Sequence, residues 1–496
     1  MTTLPKGRLE HRLHGLETEY GITVRFQVDS RLVPSDLSAI PGLKFIEKVG
    51  QTVGMPEHQN YFLENGARCY LDTGFHPEYS TPECESIRNV VHADRAGELI
   101  LEKTALLLEA EYSAKGLPII VDLYKNNIDA QGNCWGCHEN YTGKRDIKLM
   151  DYAKPLIPFF VTRQVFTGAG RVSRLRNGQI GYHLGARSFF ISTDVGGSTM
   201  KDRAIINTRD EPHADPEKYR RLHVIVGDSN MGEVPDYMKL ATASMVMSLI
   251  EERIIDEAFI NKVSLARPVR AIRQVALDMK CKRNDLKGLE GNLSALGIQR
   301  SYFDLALKHQ DIFESQYKTA LRKWGELLDS LERNPMDAYH DVDWVRKWMI
   351  IQGYMGKHHE AAPHLPAQID LKYHNIISKR GIIRGRSEEK EGSFAVDRDL
   401  VQRLCENPPD EERPRIRGNF VRLMQQLGYQ SRNQAKADWA FLSFKPDGQR
   451  DFEAVKMLEI HGNDLGELKK IFLEAVPEDK LGDPEVKKIL QETFPN

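Results

Sequence analysis

Two short stretches near the N-terminus concentrate side chains able to hold a hard cation and to move a proton. The first is Gly15-Leu16-Glu17-Thr18-Glu19-Tyr20-Gly21. The second is Asn65-Gly66-Ala67-Arg68-Cys69-Tyr70-Leu71-Asp72, followed closely by His76-Pro77-Glu78-Tyr79. Side chains alternate along a strand, so Glu17 and Glu19 are predicted to share one face of the first stretch, and Arg68, Tyr70 and Asp72 one face of the second. Such an oxygen-rich face suits Mg²⁺ and the phosphates it carries. The competing reading is a pair of solvated strand faces. The number of acidic groups, set among apolar Leu16, Phe62, Leu63 and Leu71, argues against it.

A second charged group runs from Ile206 through Asn207, Arg209, Asp210, Glu211 and His213 to Asp215, and continues in Tyr219-Arg220-Arg221-Leu222-His223. Guanidinium groups match phosphate in bidentate fashion, which makes Arg209, Arg220 and Arg221 candidate phosphate ligands, while His223 can reach a metal or a phosphoryl group. The alternative is an internal ion-pair network with Asp210, Glu211 and Asp215. Cys134-Trp135-Gly136-Cys137-His138 has the pattern of covalent haem attachment, which the lack of an export signal argues against. It lacks the second ligand pair of a zinc site, so the chemistry of the segment is assigned to His138, Glu139 and Asn140. Carboxylates, arginines and an aspartate without a nucleophilic Ser or Cys motif point to direct phosphoryl transfer. A carboxylate phosphorylated by ATP becomes an acyl phosphate, which an amine attacks once a base has taken its proton.

The elements that must position these groups follow from the rest of the 496-residue chain, which is long enough for a large core and a smaller domain. Lys plus Arg at 69 against Asp plus Glu at 71 gives a net charge of −2, too weak a field for nucleic acid or an anionic membrane. The N-terminus lacks an apolar signal region and no apolar run reaches membrane-spanning length, so a cytoplasmic location is expected, with most of the six cysteines reduced. A helix is predicted from Asp94 to Ala114, its apolar positions being Leu99, Ala105, Leu106, Leu107 and Tyr112. Strands are predicted over 117–124, 159–166, 179–184, 188–193 and 223–226, and helices over 237–253, 303–333 and 342–354. Strands first and helices later imply an α+β domain with an antiparallel or mixed sheet. No P-loop is present, and Gly168-Ala169-Gly170 reads as a turn. The proline-rich, charged segment from Glu406 to Pro414 is the expected linker, with the boundary near residue 415. A helix over 416–427 and a strand over 439–444 are expected beyond it.

Several of these motifs, together with Lys125-Asn126-Asn127, Gly136 to Tyr141, Asn207 to Asp215 and Tyr219 to Met231, resemble the family of Pup ligases and depupylases, PafA and Dop. The resemblance runs in order from about residue 12 to about residue 445. It implies a glutamine-synthetase-like carboxylate-amine ligase domain over 1–415 and a small C-terminal domain over 416–496 that contributes to the nucleotide site. The implied reaction is ATP-dependent phosphorylation of the C-terminal glutamate of a Pup-like modifier, then isopeptide formation with a lysine of a target protein, marking the target for proteasomal degradation. Motif by motif, Glu17, Tyr70 and Glu78 match the family's Mg²⁺ ligands. Arg68 and Thr81 match ATP contacts, and Trp439 the nucleotide contact from the C-terminal domain. Asp72 matches the catalytic aspartate that deprotonates the lysine. On chemical grounds His138 and His223 join the metal set, and Arg209 and Arg220 the nucleotide set. Glu19 and Glu83 are second-line or structural candidates.

The connection from Ile22 to Glu64 is shorter than the long insertion carried by depupylases, and the wording from His223 to Met231 resembles the ligase; both favour a ligase. Departures at His183-Leu184-Gly185-Ala186-Arg187 and after residue 280 leave open a Pup relative such as UBact as the modifier. Hydrolysis of the same bond, ligation of small-molecule amines, and a nucleotide-binding scaffold without turnover are the alternatives.

Overall fold

The computed structural model describes residues 11–26, 41–52, 59–129, 131–174, 180–357, 364–383, 396–429, 435–445 and 452–495. They form two compact units, one of His11–Leu123, Glu211–Tyr219 and Asp397–Asn496, the other of Tyr124–Asp210 and Arg220–Val396. The expected α+β class is borne out, with mainly antiparallel strand pairing and many helices.

In the first unit the strands His14–Glu19, Pro77–Ser80, Arg68–Leu71 and Asn60–Phe62 lie side by side in that order, every pair antiparallel. One face carries Thr18, Tyr79, Cys69 and Tyr61, all fully buried, and the helix Ile87–Ala114 packs beneath the strands. Gly97 permits this approach: a Cβ there would stand 2.4 Å from the Tyr79 ring. Ser86 caps the helix by accepting the Asn89 N–H. The helix starts earlier than the pattern implied and is largely buried through Glu98; beyond that its buried stripe is Leu101, Thr104, Ala105, Leu108 and Tyr112, while Leu99, Leu106 and Leu107 face water. Beyond residue 411, the helix Glu412–Gln426, the antiparallel strands Ala435–Ala437, Phe441–Phe444 and Glu453–Lys456, and the helices Leu465–Glu474 and Pro484–Thr493 enclose their own core. Ile416, Phe420, Leu442 and Phe472 lie at its centre.

In the second unit the order is Ile191–Gly196, Arg203–Asn207, Tyr219–Val224 and Cys137–Lys144, the first pair parallel and the second antiparallel. The helices Leu149–Thr167 and Glu233–Glu251 are buried on nearly all sides. The strand expected over 159–166 is therefore part of a helix. A helix enclosed by protein has no polar stripe, so its apolar run imitates a buried strand. The long helix expected over 303–333 is two, Ala295–Lys308 and Gln316–Arg333, separated by a short turn. Among the described residues no helix is long and apolar enough to cross a membrane.

Candidate active site

Strand register assembles the first group of side chains. Glu17 lies opposite Ser80, which lies opposite Arg68, which lies opposite Phe62. One step along, Glu19, Glu78, Tyr70 and Asn60 make a parallel row. The period of two puts both rows on the face turned away from the Tyr79 core. Glu19 and Glu78 are buried, and Glu17 and Tyr70 are half-buried. The Glu78 carboxyl is pushed well above its ordinary range, first by burial and then by Glu19 and Glu17. Tyr70 is hydrogen-bonded to Glu78, and burial and the neighbouring Glu78 and Glu17 keep its phenol protonated. Three crowded carboxylates beside a neutral phenol oxygen form an oxygen-only donor set whose mutual repulsion a hard divalent cation relieves, so the residues present fit Mg²⁺.

Asp72 stands one residue past its strand, where its main-chain N–H donates to His76 O (3.1 Å) and its Oδ1 accepts the His76 N–H (2.8 Å). This tight turn fixes the carboxylate beside the rows. His76 Nδ1 lies 3.7 Å from both Asp72 and Glu19. Arg68 donates from Nε to Asn60 Oδ1 (2.7 Å) and lays its guanidinium 4.3 Å over the Tyr70 ring.

Trp439 reaches the same neighbourhood through Phe62, edge to face at 4.9 Å. The Arg417 guanidinium covers the indole at 4.6 Å. Arg413 donates to Trp439 O (2.7 Å), and Arg413 and Arg417 both clasp Glu83. Glu83 is thus structural, anchoring the segment that carries the tryptophan. Thr81 stands apart. It is buried, its hydroxyl accepts the Leu16 N–H (3.1 Å), and alternation from Ser80 turns it toward the core side.

The second unit holds the other candidates. His138 and His223 meet edge to face at 5.0 Å. Arg221 donates to Asn140 Oδ1 (2.6 Å), so His138, Asn140, Arg221 and His223 share a face. Glu139 points to the opposite face, into the core, where Arg163 grips it at 2.9 and 2.5 Å and Tyr141 donates to it. The expected chemical role of Glu139 gives way to a buried ion pair. Arg220 and Arg145 both bind Asp210, at 2.7 and 2.5 Å, so part of the alternative ion-pair network exists, with two cations on one carboxylate. Arg209 is exposed. Sequence reasoning missed Arg145, which follows a strand of unremarked polarity, and gave His76 no role although it lies within the quoted motif. The described cysteines are all free thiols.

The model of the Pup-ligase protein family matches residues 12–443. The chain belongs to the Pup-ligase family. Among curated relatives of this Pup-ligase family member, the Pup–protein ligase of Acidimicrobium ferrooxidans is 37% identical over 447 residues, covering 89% of this chain and 95% of that protein. The Pup–protein ligase of a Nocardioides species is 38% identical over 449 residues, with the same coverage. The crystal structure of the complex between the prokaryotic ubiquitin-like protein Pup and its ligase PafA superposes with a TM-score of 0.80 at 28% identity, over 98% of this chain and 95% of that one. PafA in complex with ADP gives a TM-score of 0.73 at 28% identity, over 91% and 97%. The family and fold implied by the sequence motifs are therefore borne out.

Proposed function

We propose that this protein is an ATP-dependent Pup–protein ligase: it phosphorylates the C-terminal glutamate of a Pup-like modifier, Pup or UBact, and joins it by an isopeptide bond to lysines of target proteins. The observation that carries the reading is the pair of cross-strand rows Glu17–Ser80–Arg68 and Glu19–Glu78–Tyr70, in a chain of the Pup-ligase family. Glu17, Glu78 and Tyr70 hold Mg²⁺, with Glu19 beside them. The cation supplies charge neutralisation at the phosphates. Arg68 contacts phosphate oxygens, and the Phe62–Trp439–Arg417 stack offers an aromatic surface for the base. Trp439 comes from the small C-terminal domain, residues 416–496. In the second unit, His138 and His223 are further metal candidates, and Arg209, Arg220 and Arg145 further anion candidates.

Asp72 takes the proton from the incoming lysine ammonium so that the amine attacks the acyl phosphate, forming the amide and releasing phosphate. The turn through Gly74 holds the carboxylate ready, and the His76 amide is its fixed partner. The target proteins then pass to a proteasome, in a cytoplasmic setting.

The test is incubation with ATP, Mg²⁺, a glutamate-ended modifier and a lysine-bearing protein, followed by mass spectrometry. A lysine carrying the modifier through an isopeptide bond is expected. Release of modifier from a preformed conjugate without any ligation would instead establish a depupylase.

A further inference from the structure

In the first unit, three separate segments bring imidazoles and a carboxylate together outside the two rows. His11 Nδ1 lies 2.7 Å from Glu85 Oε2, and His461 Nδ1 lies 2.9 Å from Glu85 Oε1. The two rings stack at 4.3 Å with only 7° between their planes. The three ligating atoms all fall within 4.8 Å of one another. Two stacked imidazolium rings repel each other, so the arrangement suits neutral imidazoles around something positive that the carboxylate also seeks.

The carriers of these ligands are held in place. The Glu85 N–H donates to Glu411 Oε2 (2.5 Å). The loop bearing His461 is fixed by Glu412, which accepts the N–H groups of Gly462 (3.0 Å) and Asn463 (2.8 Å). Outer contacts of this kind orient metal ligands.

We infer that His11, Glu85 and His461 form a binding site for a zinc-class dication that ties the approach to the first strand to the loop before the helix Leu465–Glu474. Two imidazoles and a carboxylate are borderline-soft donors that select Zn²⁺ or Co²⁺ over Mg²⁺, so the site is chemically separate from the carboxylate rows. Ligands around tetrahedral zinc stand about 3.3 Å apart, so each present contact must open by about half an ångström. Side chains roughly half exposed, as both histidines are, can make that adjustment, and they leave a coordination position for water.

The experiment uses the full-length protein, stripped with chelator, dialysed against Zn²⁺ with excess Mg²⁺, and analysed by elemental mass spectrometry and thermal unfolding. Wild type is expected to keep about one equivalent of zinc more than His11→Ala/His461→Ala, and to gain melting temperature with zinc where the double variant does not. Equal zinc content and equal thermal response in the two proteins would overturn the proposal. Unchanged Mg²⁺–ATP turnover in the double variant reports that it is folded. Glu85→Gln, a gentler change, is expected to weaken zinc binding at least tenfold, and an unaltered affinity would again overturn it.

Discussion

Glu78 stands directly opposite Glu19 in one antiparallel strand pair, while its other flank faces Tyr70 in the next. Two carboxylates at a directly opposed position destabilise a sheet unless something positive sits between them. Burial first, and then Glu19 and Glu17, hold the Glu78 carboxyl well above its ordinary range.

A pH dependence with a definite sign follows. In the unfolded chain Glu78 ionises in the ordinary carboxylate range, whereas in the folded chain burial, Glu19 and Glu17 hold its proton to higher pH. A raised carboxyl binds more protons folded than unfolded, so this group favours folding at low pH. Metal-free stability falls as pH rises through the ordinary range toward the raised folded value. Glu78→Gln removes that dependence. Its metal-free melting temperature is expected to exceed wild type by about 2 °C at pH 8, with the gap closing near pH 4. The same variant should bind Mg²⁺–ATP roughly tenfold or more weakly. Calorimetric melts with and without Mg²⁺ check both halves, and a variant less stable than wild type at pH 8 without metal would count against the crowding argument.

Asp72→Asn keeps an oxygen for the His76 amide and so preserves the turn. It removes the proposed base. Conjugate formation is expected to fall by roughly 10²–10⁴-fold, while ATP affinity changes by less than about threefold. Gel-based conjugation rates alongside nucleotide titration measure the split. Wild-type conjugation would remove Asp72 from its proposed role.

How far this was legible in the sequence depends on how local each relationship is. Alternation alone placed Glu17 with Glu19 and Arg68 with Tyr70, because a strand's period is indifferent to its neighbours. Asp72 was grouped with them although its strand ends at Leu71, and a turn carries it alongside. The pairing of Arg145 with Asp210 joins residues far apart in the chain, and nothing near either one announces it. The run from Phe159 to Phe166 misled for a different reason: from Pro155 on, the helix Leu149–Thr167 is enclosed on all sides, so periodicity vanished. Arg163, a charge inside that run, was the clue that it had a buried partner.

Trp439 touches Phe62 and lies under Arg417, while neither Arg413 nor Arg417 depends on the indole to hold Glu83. Trp439→Ala should therefore leave the C-terminal region folded. The expected result is about a tenfold rise in KM for ATP with little change in kcat, the signature of lost ground-state stacking. Steady-state kinetics at varied ATP test it. An unchanged KM would separate the tryptophan from the nucleotide.

Glu139 and Arg163 make the opposite case, a charged pair with structural work only. Both side chains are buried, the carboxylate is gripped at both oxygens, and Tyr141 donates to it as well. Removing one partner strands the other in a region of low dielectric. Arg163→Met is therefore expected to destabilise the protein by about 3–5 kcal/mol. Glu139→Gln, which keeps an acceptor oxygen, should cost less, because part of the network survives. Chemical denaturation gives the two values. Conjugation assayed per folded molecule should stay close to wild type for Glu139→Gln. A collapse of turnover in a fully folded Glu139→Gln protein would return that carboxylate to the catalytic set, against the strand alternation that turns it toward Arg163 while His138 and Asn140 take the other face.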